Sequence, residues 1–159
     1  MSARPVRARI RDGRPADAAA VLALEAVFAT DRMSARSIRR FLARPGTVLV
    51  AEMEGEIVGA LVFLLRRNSR WARIYSVVVH PARRGLGLGR RLVLAAEARA
   101  RRAGCVGMSL EVRTDNLPAQ RLYRALGYAD HAQLARYYDD GAPGIRLRKP
   151  FGRIVEHNR

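Results

Sequence analysis

The chain has 159 residues, 49% hydrophobic and 28% charged, with a net charge of +16. That length suits one domain with a sizeable core, and no apolar stretch approaches the roughly 20 residues a membrane span needs. The single cysteine, Cys105, excludes an internal disulfide and reads as a buried, inert thiol, while His80, His131 and His157 lack the spacing of a metal set.

The start, "MSARPVRARIRDG", carries charge but no following apolar block, so it does not read as a secretion signal and cytoplasm is the expected compartment. Only Lys149 is a lysine, so nearly all the positive charge is arginine. Two readings of that charge stand. It serves an anionic partner, such as nucleic acid, a ribosome or a polyphosphate cofactor, or it reflects a GC-rich coding sequence.

Residues 1–159 are expected to form a single domain. In chain order, "VRARIR" (6–11) alternates and predicts a first strand. Residues 15–29 predict a helix with Val21, Leu24 and Phe28 on one stripe and Pro15 in its first turn. Ser34 can cap a second helix that turns Ile38, Phe41 and Leu42 inward. "TVLVAEME" and "IVGALVFLLR" predict strands joined by a turn at Glu54-Gly55-Glu56, with a further turn at "RNSRW". "RIYSVVVH" (73–80) predicts a central strand, because its end is almost continuously apolar. A long helix to about Arg102 follows, then a strand at 105–113 and a helix at 117–126 ended by Gly127. "YADHAQLARYY" and "GIRLRKPF" predict a closing hairpin. The order gives an α/β layered fold, a mixed sheet of about seven strands flanked by about four helices.

Between the central strand and the long helix stands Arg84-Gly85-Leu86-Gly87-Leu88-Gly89, followed by Arg90-Arg91. The missing Lys-Ser/Thr pair excludes a P-loop, and the glycine spacing excludes the dinucleotide fingerprint. The physics is still that of anion capture. The first amides of a helix have no internal acceptor, their dipoles favour negative charge, and glycines let a phosphate approach the main chain. The plainer reading is a flexible glycine-rich turn.

Arg84, Gly87 and Gly89 resemble the pyrophosphate loop of the GCN5-related N-acetyltransferase superfamily. Asn116, Ala119, Leu122, Tyr123, Gly127 and Tyr128 resemble that superfamily's second signature. The likeness runs over roughly residues 6–150 and is most specific from 74 to 128. Within the superfamily, "LEVR" followed by Asn and Leu-Tyr, with Tyr137-Tyr138 further on, is similar to the RimI-like branch of ribosomal-protein-alanine N-acetyltransferases. Two segments depart from that branch, "FATDRMS" (28–34) and Ala142-Pro143-Gly144 after Gly141, and both fall on the acceptor side.

The resemblance implies acetyl-CoA as cosubstrate, no metal, and a protein or peptide N-terminus as acceptor; a monomer and a homodimer both remain open, and the ribosome is one partner that the charge would suit. It implies splayed central strands, with the main chain at Val77, Val78 and Val79 meeting the pantetheine. Gly85, Leu86, Gly87, Leu88, Gly89 and Arg90 would hold the pyrophosphate together with Arg84, and Asn116 would touch the cofactor arm. Asn116 also suits a helix cap. Glu111 is the candidate base on an alternating strand, with a salt bridge to an arginine as the plainer alternative. Tyr123 is the candidate acid, though it also lies on an apolar stripe with Ala119, Leu122 and Leu126. Phe28, Thr30, Asp31, Tyr137 and Tyr138 are candidates for the acceptor slot. Two other functions compete: a small-molecule amine acetyltransferase, and a non-catalytic arginine-rich module for nucleic acid or ribosome.

Overall fold

A computed structural model describes residues 7–27 and 33–152. Seven strands form one sheet: β1 (Arg9–Asp12), β2 (Val48–Met53), β3 (Glu56–Leu64), β4 (Trp71–Val79), β5 (Gly107–Arg113), β6 (Ala129–Leu134) and β7 (Gly144–Pro150). The helices are α1 (Ala18–Glu25), α2 (Ala35–Leu42), α3 (Leu88–Arg102) and α4 (Leu117–Ala125). Strand order is β1-β2-β3-β4-β5-β7-β6. Every neighbour pairs antiparallel except β4 and β5, which are parallel because the α3 crossover joins them.

Local chemistry accounts for the elements. Ser34 caps α2 by accepting from Ser37 N, and Ile38, Phe41 and Leu42 are buried as the spacing predicts. The expected single helix over 15–29 divides into a 3-10 turn at Pro15–Asp17 and the shorter α1. Glu56 is a strand residue opposite Met53, so the β2–β3 turn has only two residues, Glu54 and Gly55, both at positive φ. That turn type matches the twist of a hairpin. Trp71 was expected in a turn but begins β4 beside Gly107, where any Cβ would collide with its ring.

Two apolar clusters sandwich the sheet. One packs Leu92, Val93, Ala96 and Ala100 of α3 with Tyr123 of α4 against Leu110, Val112 and Leu147. The other packs Val21, Leu24, Ile38 and Phe41 of α1 and α2 against Val50, Ala60, Val62 and Val78. Glu97 of α3 is buried in the first cluster, where it accepts from Lys149 Nζ at 2.7 Å and Tyr128 hydroxyl at 3.2 Å.

Two irregularities shape the middle of the sheet. Val62 pairs with Ser76 and Phe63 with Ile74, so Tyr75 is an extra residue, a bulge on β4. The bulge switches parity. Ile74 and then Val77 face the α3 cluster, while Val78 faces the α1–α2 cluster. The parallel ladder of β4 and β5 then stops after Trp71–Gly107, Ala72–Met108 and Arg73–Ser109. Beyond it β4 stays on β3 as far as Val79, and β5 stays on β7 as far as Arg113. The sheet opens into a notch, whose facing main-chain edges carry amides and carbonyls with no sheet partner.

Candidate active site

The notch holds a cavity of about 510 Å³. Arg73 to Val78 of β4 form one wall and Leu110 to Arg113 of β5 the other. Asn116, Ala119 and Tyr123, the segment Tyr137–Asp139 and Glu25 complete it.

Glu111 projects at the apex, opposite Arg146 on β7, and its side chain is 8% exposed. Its Oε2 accepts from Arg73 Nε at 2.8 Å and its Oε1 from Arg146 Nε at 3.1 Å. The salt bridge that was the alternative reading of Glu111 is present, and the side chain lines the cavity as well. A carboxylate has about four lone-pair sites, so two guanidinium contacts leave room for an amine or a water.

Tyr123 lies on α4, 8% exposed, with its ring edge-on to Tyr128 at 5.7 Å. It is both a core residue and a cavity-lining one. Burial, and then the proximity of Tyr138, pushes its phenol well above its ordinary 10.0. It therefore remains a proton donor throughout the neutral range. Asn116 caps α4, its side chain accepting from Ala119 N at 3.2 Å, and lines the cavity as well.

From the apex, β4 runs outward to the glycine loop. Val77 and Val78 line the cavity; Val79 pairs with Gly59 and packs against the α3 cluster instead. Gly85 and Gly87 sit at φ +83° and +74°, and Cβ atoms there would meet no protein atom within 4 Å. Gly87 is the N-cap of α3, and the first helical bond runs from Arg91 N to Gly87 O. The amides of Leu88, Gly89 and Arg90 thus precede any helical acceptor. Gly89 is small for another reason: its Cβ would come within 3.3 Å of Leu122 Cδ2 on α4. Leu88 is a core residue, whereas Leu86 is exposed.

Tyr137 and Tyr138 stand in the β6–β7 connection, because β6 ends at Leu134. Their amides both donate to Ala142 O, and their rings meet edge to face at 5.1 Å. The Tyr137 hydroxyl accepts from Arg73 at 3.3 Å. Arg113 lies over the Tyr138 ring at 5.0 Å and pairs with Asp140 at 2.6 Å, which fixes this connection to the end of β5. Phe28, Thr30 and Asp31 lie outside the described residues.

Several polar residues of the cavity or its apex are not among the candidates named from sequence, including Glu25, Arg73, Ser76, Asp139 and Arg146. Glu25 carried a signal, since it falls four residues after Val21 on the apolar stripe of α1. Arg73 and Arg146 carried none, being two arginines among many. The partly buried thiol of Cys105 is pushed up by burial, as suits an inert cysteine.

The family model for the acetyltransferase (GNAT) family matches residues 18–128. The chain belongs to this family. It is 36% identical over 124 residues to the blasticidin-S acetyltransferase of Streptomyces morookaense, covering 77% of this chain and 82% of that one. It is 40% identical over 80 residues to the N-alpha-acetyltransferase RimI of Mycobacterium tuberculosis, covering 50% of this chain and 49% of that one. Among solved structures it resembles an acetyltransferase of Salmonella typhimurium with its cofactor acetyl-CoA, with a TM-score of 0.76, 26% identity and 96% of each chain covered.

The protein is an acetyl-CoA-dependent N-acetyltransferase with the seven-stranded GNAT fold. The open space beside Gly85 and Gly87, the three amides ahead of any helical acceptor and the open β4 edge fit the diphosphate and amide-bearing arm of that cosubstrate. Among the described residues no cluster of His, Cys, Asp and Glu could hold a metal, and no helix is long and apolar enough to cross a membrane.

Proposed function

We propose that this acetyltransferase works as a single domain in the cytoplasm, in the RimI-like manner, on the α-amine of a protein or peptide N-terminus. The observation that carries the site assignment is the meeting of Glu111 and Tyr123 in one cavity, at the point where β4 and β5 part. Tyr137 and Tyr138 wall the same cavity, which suits a chain end entering a narrow slot. The likeness to the relative named N-alpha-acetyltransferase RimI supports this acceptor.

Acetyl-CoA supplies the activated acetyl thioester; the protein supplies alignment and proton handling. Amides at Leu88 to Arg90, with Gly85, Leu86 and Gly87 and the arginines Arg84 and Arg90, hold the diphosphate. The free edge of β4 at Val77 to Val79 receives the pantetheine amides as a neighbouring strand would. Asn116 steadies the arm from α4.

An attacking amine must be neutral. An α-amine has a pKa near 8, so roughly a tenth is neutral at pH 7 and a modest base suffices. Glu111 accepts that proton, directly or through a water. Tyr123 donates one to the departing sulfur.

A second reading has its own support. The relative with the larger coverage is a blasticidin-S acetyltransferase, so a small-molecule amine is the competing acceptor. A thiol-release screen over N-terminal peptides, free amino acids and polyamines decides between them. The highest kcat/KM on peptides is expected; turnover confined to small amines would replace the first reading with the second.

A further inference from the structure

Glu25, the last residue of α1, is 4% exposed yet lines the same cavity as Glu111 and Tyr123. Its Oε1 accepts from the Ser76 hydroxyl at 2.8 Å and its Oε2 from Met33 N at 3.1 Å. Neither donor is a cation. Among the described residues, the other acidic groups away from solvent all have one: Glu97 has Lys149, Glu111 has Arg73 and Arg146, and Asp17 and Glu52 share Arg11.

The chain has 30 basic residues against 14 acidic ones, so a missing counter-ion is not for want of arginines. A carboxylate taken from water without a counter-charge is strongly disfavoured, and partners in folded proteins normally compensate it. Exposed Asp139 lines the cavity too, and the two arginines of that lining are engaged by other carboxylates, Arg73 by Glu111 and Arg113 by Asp115 and Asp140.

We propose that Glu25 is a specificity residue that binds a second cationic group of the acceptor, distinct from the amine that is acetylated. The reacting amine is the one assigned to Glu111, so the group that Glu25 holds is a second one, which stays charged. The favoured acceptors therefore carry an ammonium or guanidinium on a flexible stem, either as a basic side chain near a peptide's start or as the far end of a diamine. The inference rests on the cavity being the acceptor site.

Glu25→Gln tests it, since the amide retains shape and hydrogen-bonding capacity while losing charge. The first measurement is calorimetric binding of 1,4-diaminobutane and butylamine to the protein loaded with coenzyme A. The diamine should bind about tenfold more tightly to the wild type, and Glu25→Gln should erase that advantage while leaving coenzyme A affinity unchanged. The second is the KM ratio between matched peptides with Leu or Lys at the second position. Glu25→Gln should shift it about tenfold against the Lys peptide, and the two measurements together tell peptide from free diamine as the source of the cation.

Equal losses on every acceptor would overturn the proposal, leaving Glu25 as a tie between α1, β4 and Met33. So would equal wild-type affinity for diamine and monoamine, a comparison that needs no variant to fold. If no amine is turned over while diamine binding still depends on Glu25, the anchor stands and the acceptor assignment of the Proposed function fails.

Discussion

Glu111 and Tyr123 are each held by contacts that would also be found in an inert protein, and only their shared cavity distinguishes them. Glu111→Gln and Tyr123→Phe should each lower kcat by roughly 10²–10⁴-fold, with coenzyme A affinity by calorimetry nearly unchanged. Because burial pushes the Tyr123 phenol upward, its loss of a proton cannot shape the rate profile below about pH 10. A kcat profile falling with an apparent pKa below 9, and losing that limb in Tyr123→Phe, would contradict the raised phenol, whereas full kcat in Tyr123→Phe would remove it as proton donor. Asp17 shows the opposite direction. Its hydrogen bonds from the Arg11 guanidinium hold its carboxyl below the usual range. Its stabilising contribution is therefore present above about pH 4 and lost as pH falls through the lowered value. Asp17→Asn should melt at a lower temperature than wild type at pH 7, with the gap closing on acidification.

At the level of elements, the turn into α3 and the buried pair behind it make separate demands. Gly87→Val forces a branched residue into φ +74° and fills open space beside the first amides of α3. Coenzyme A affinity should fall at least tenfold in a folded protein; an unchanged value would remove the loop from the site. Lys149→Ala leaves Glu97 buried without its cation and should cost about 3–5 kcal/mol in denaturant unfolding, with little change in KM. The elements themselves were largely legible, because alternation, the Ser34 and Asn116 caps and the glycine run are local signals. The Tyr75 bulge was not, since an extra residue in one strand exists only relative to its partner. The end of β6 at Leu134 was hidden too: Tyr137 and Tyr138 look like strand residues until their amides are seen on Ala142 O. At the site, Glu111 and Tyr123 stood out as chemistry on patterned elements. Arg73 and Arg146 could not, because nothing local marks which of many arginines meets a given carboxylate.

For the molecule as a whole, three residue pairs of parallel ladder join two half-sheets, each antiparallel within itself. The α3 cluster binds one face of this seam, and the ion pair from Arg73 of β4 to Glu111 of β5 crosses the other. The carboxylate proposed as base is thus also a fastener. Glu111→Gln keeps an oxygen for a guanidinium and so preserves the seam while removing the charge. Glu111→Ala undoes the fastening as well, and amide exchange at Ser109 and Leu110 should quicken in that variant alone. On the proposed mechanism, any substitution of this carboxylate changes at once the proton acceptor and the tie between the two plates of the sheet.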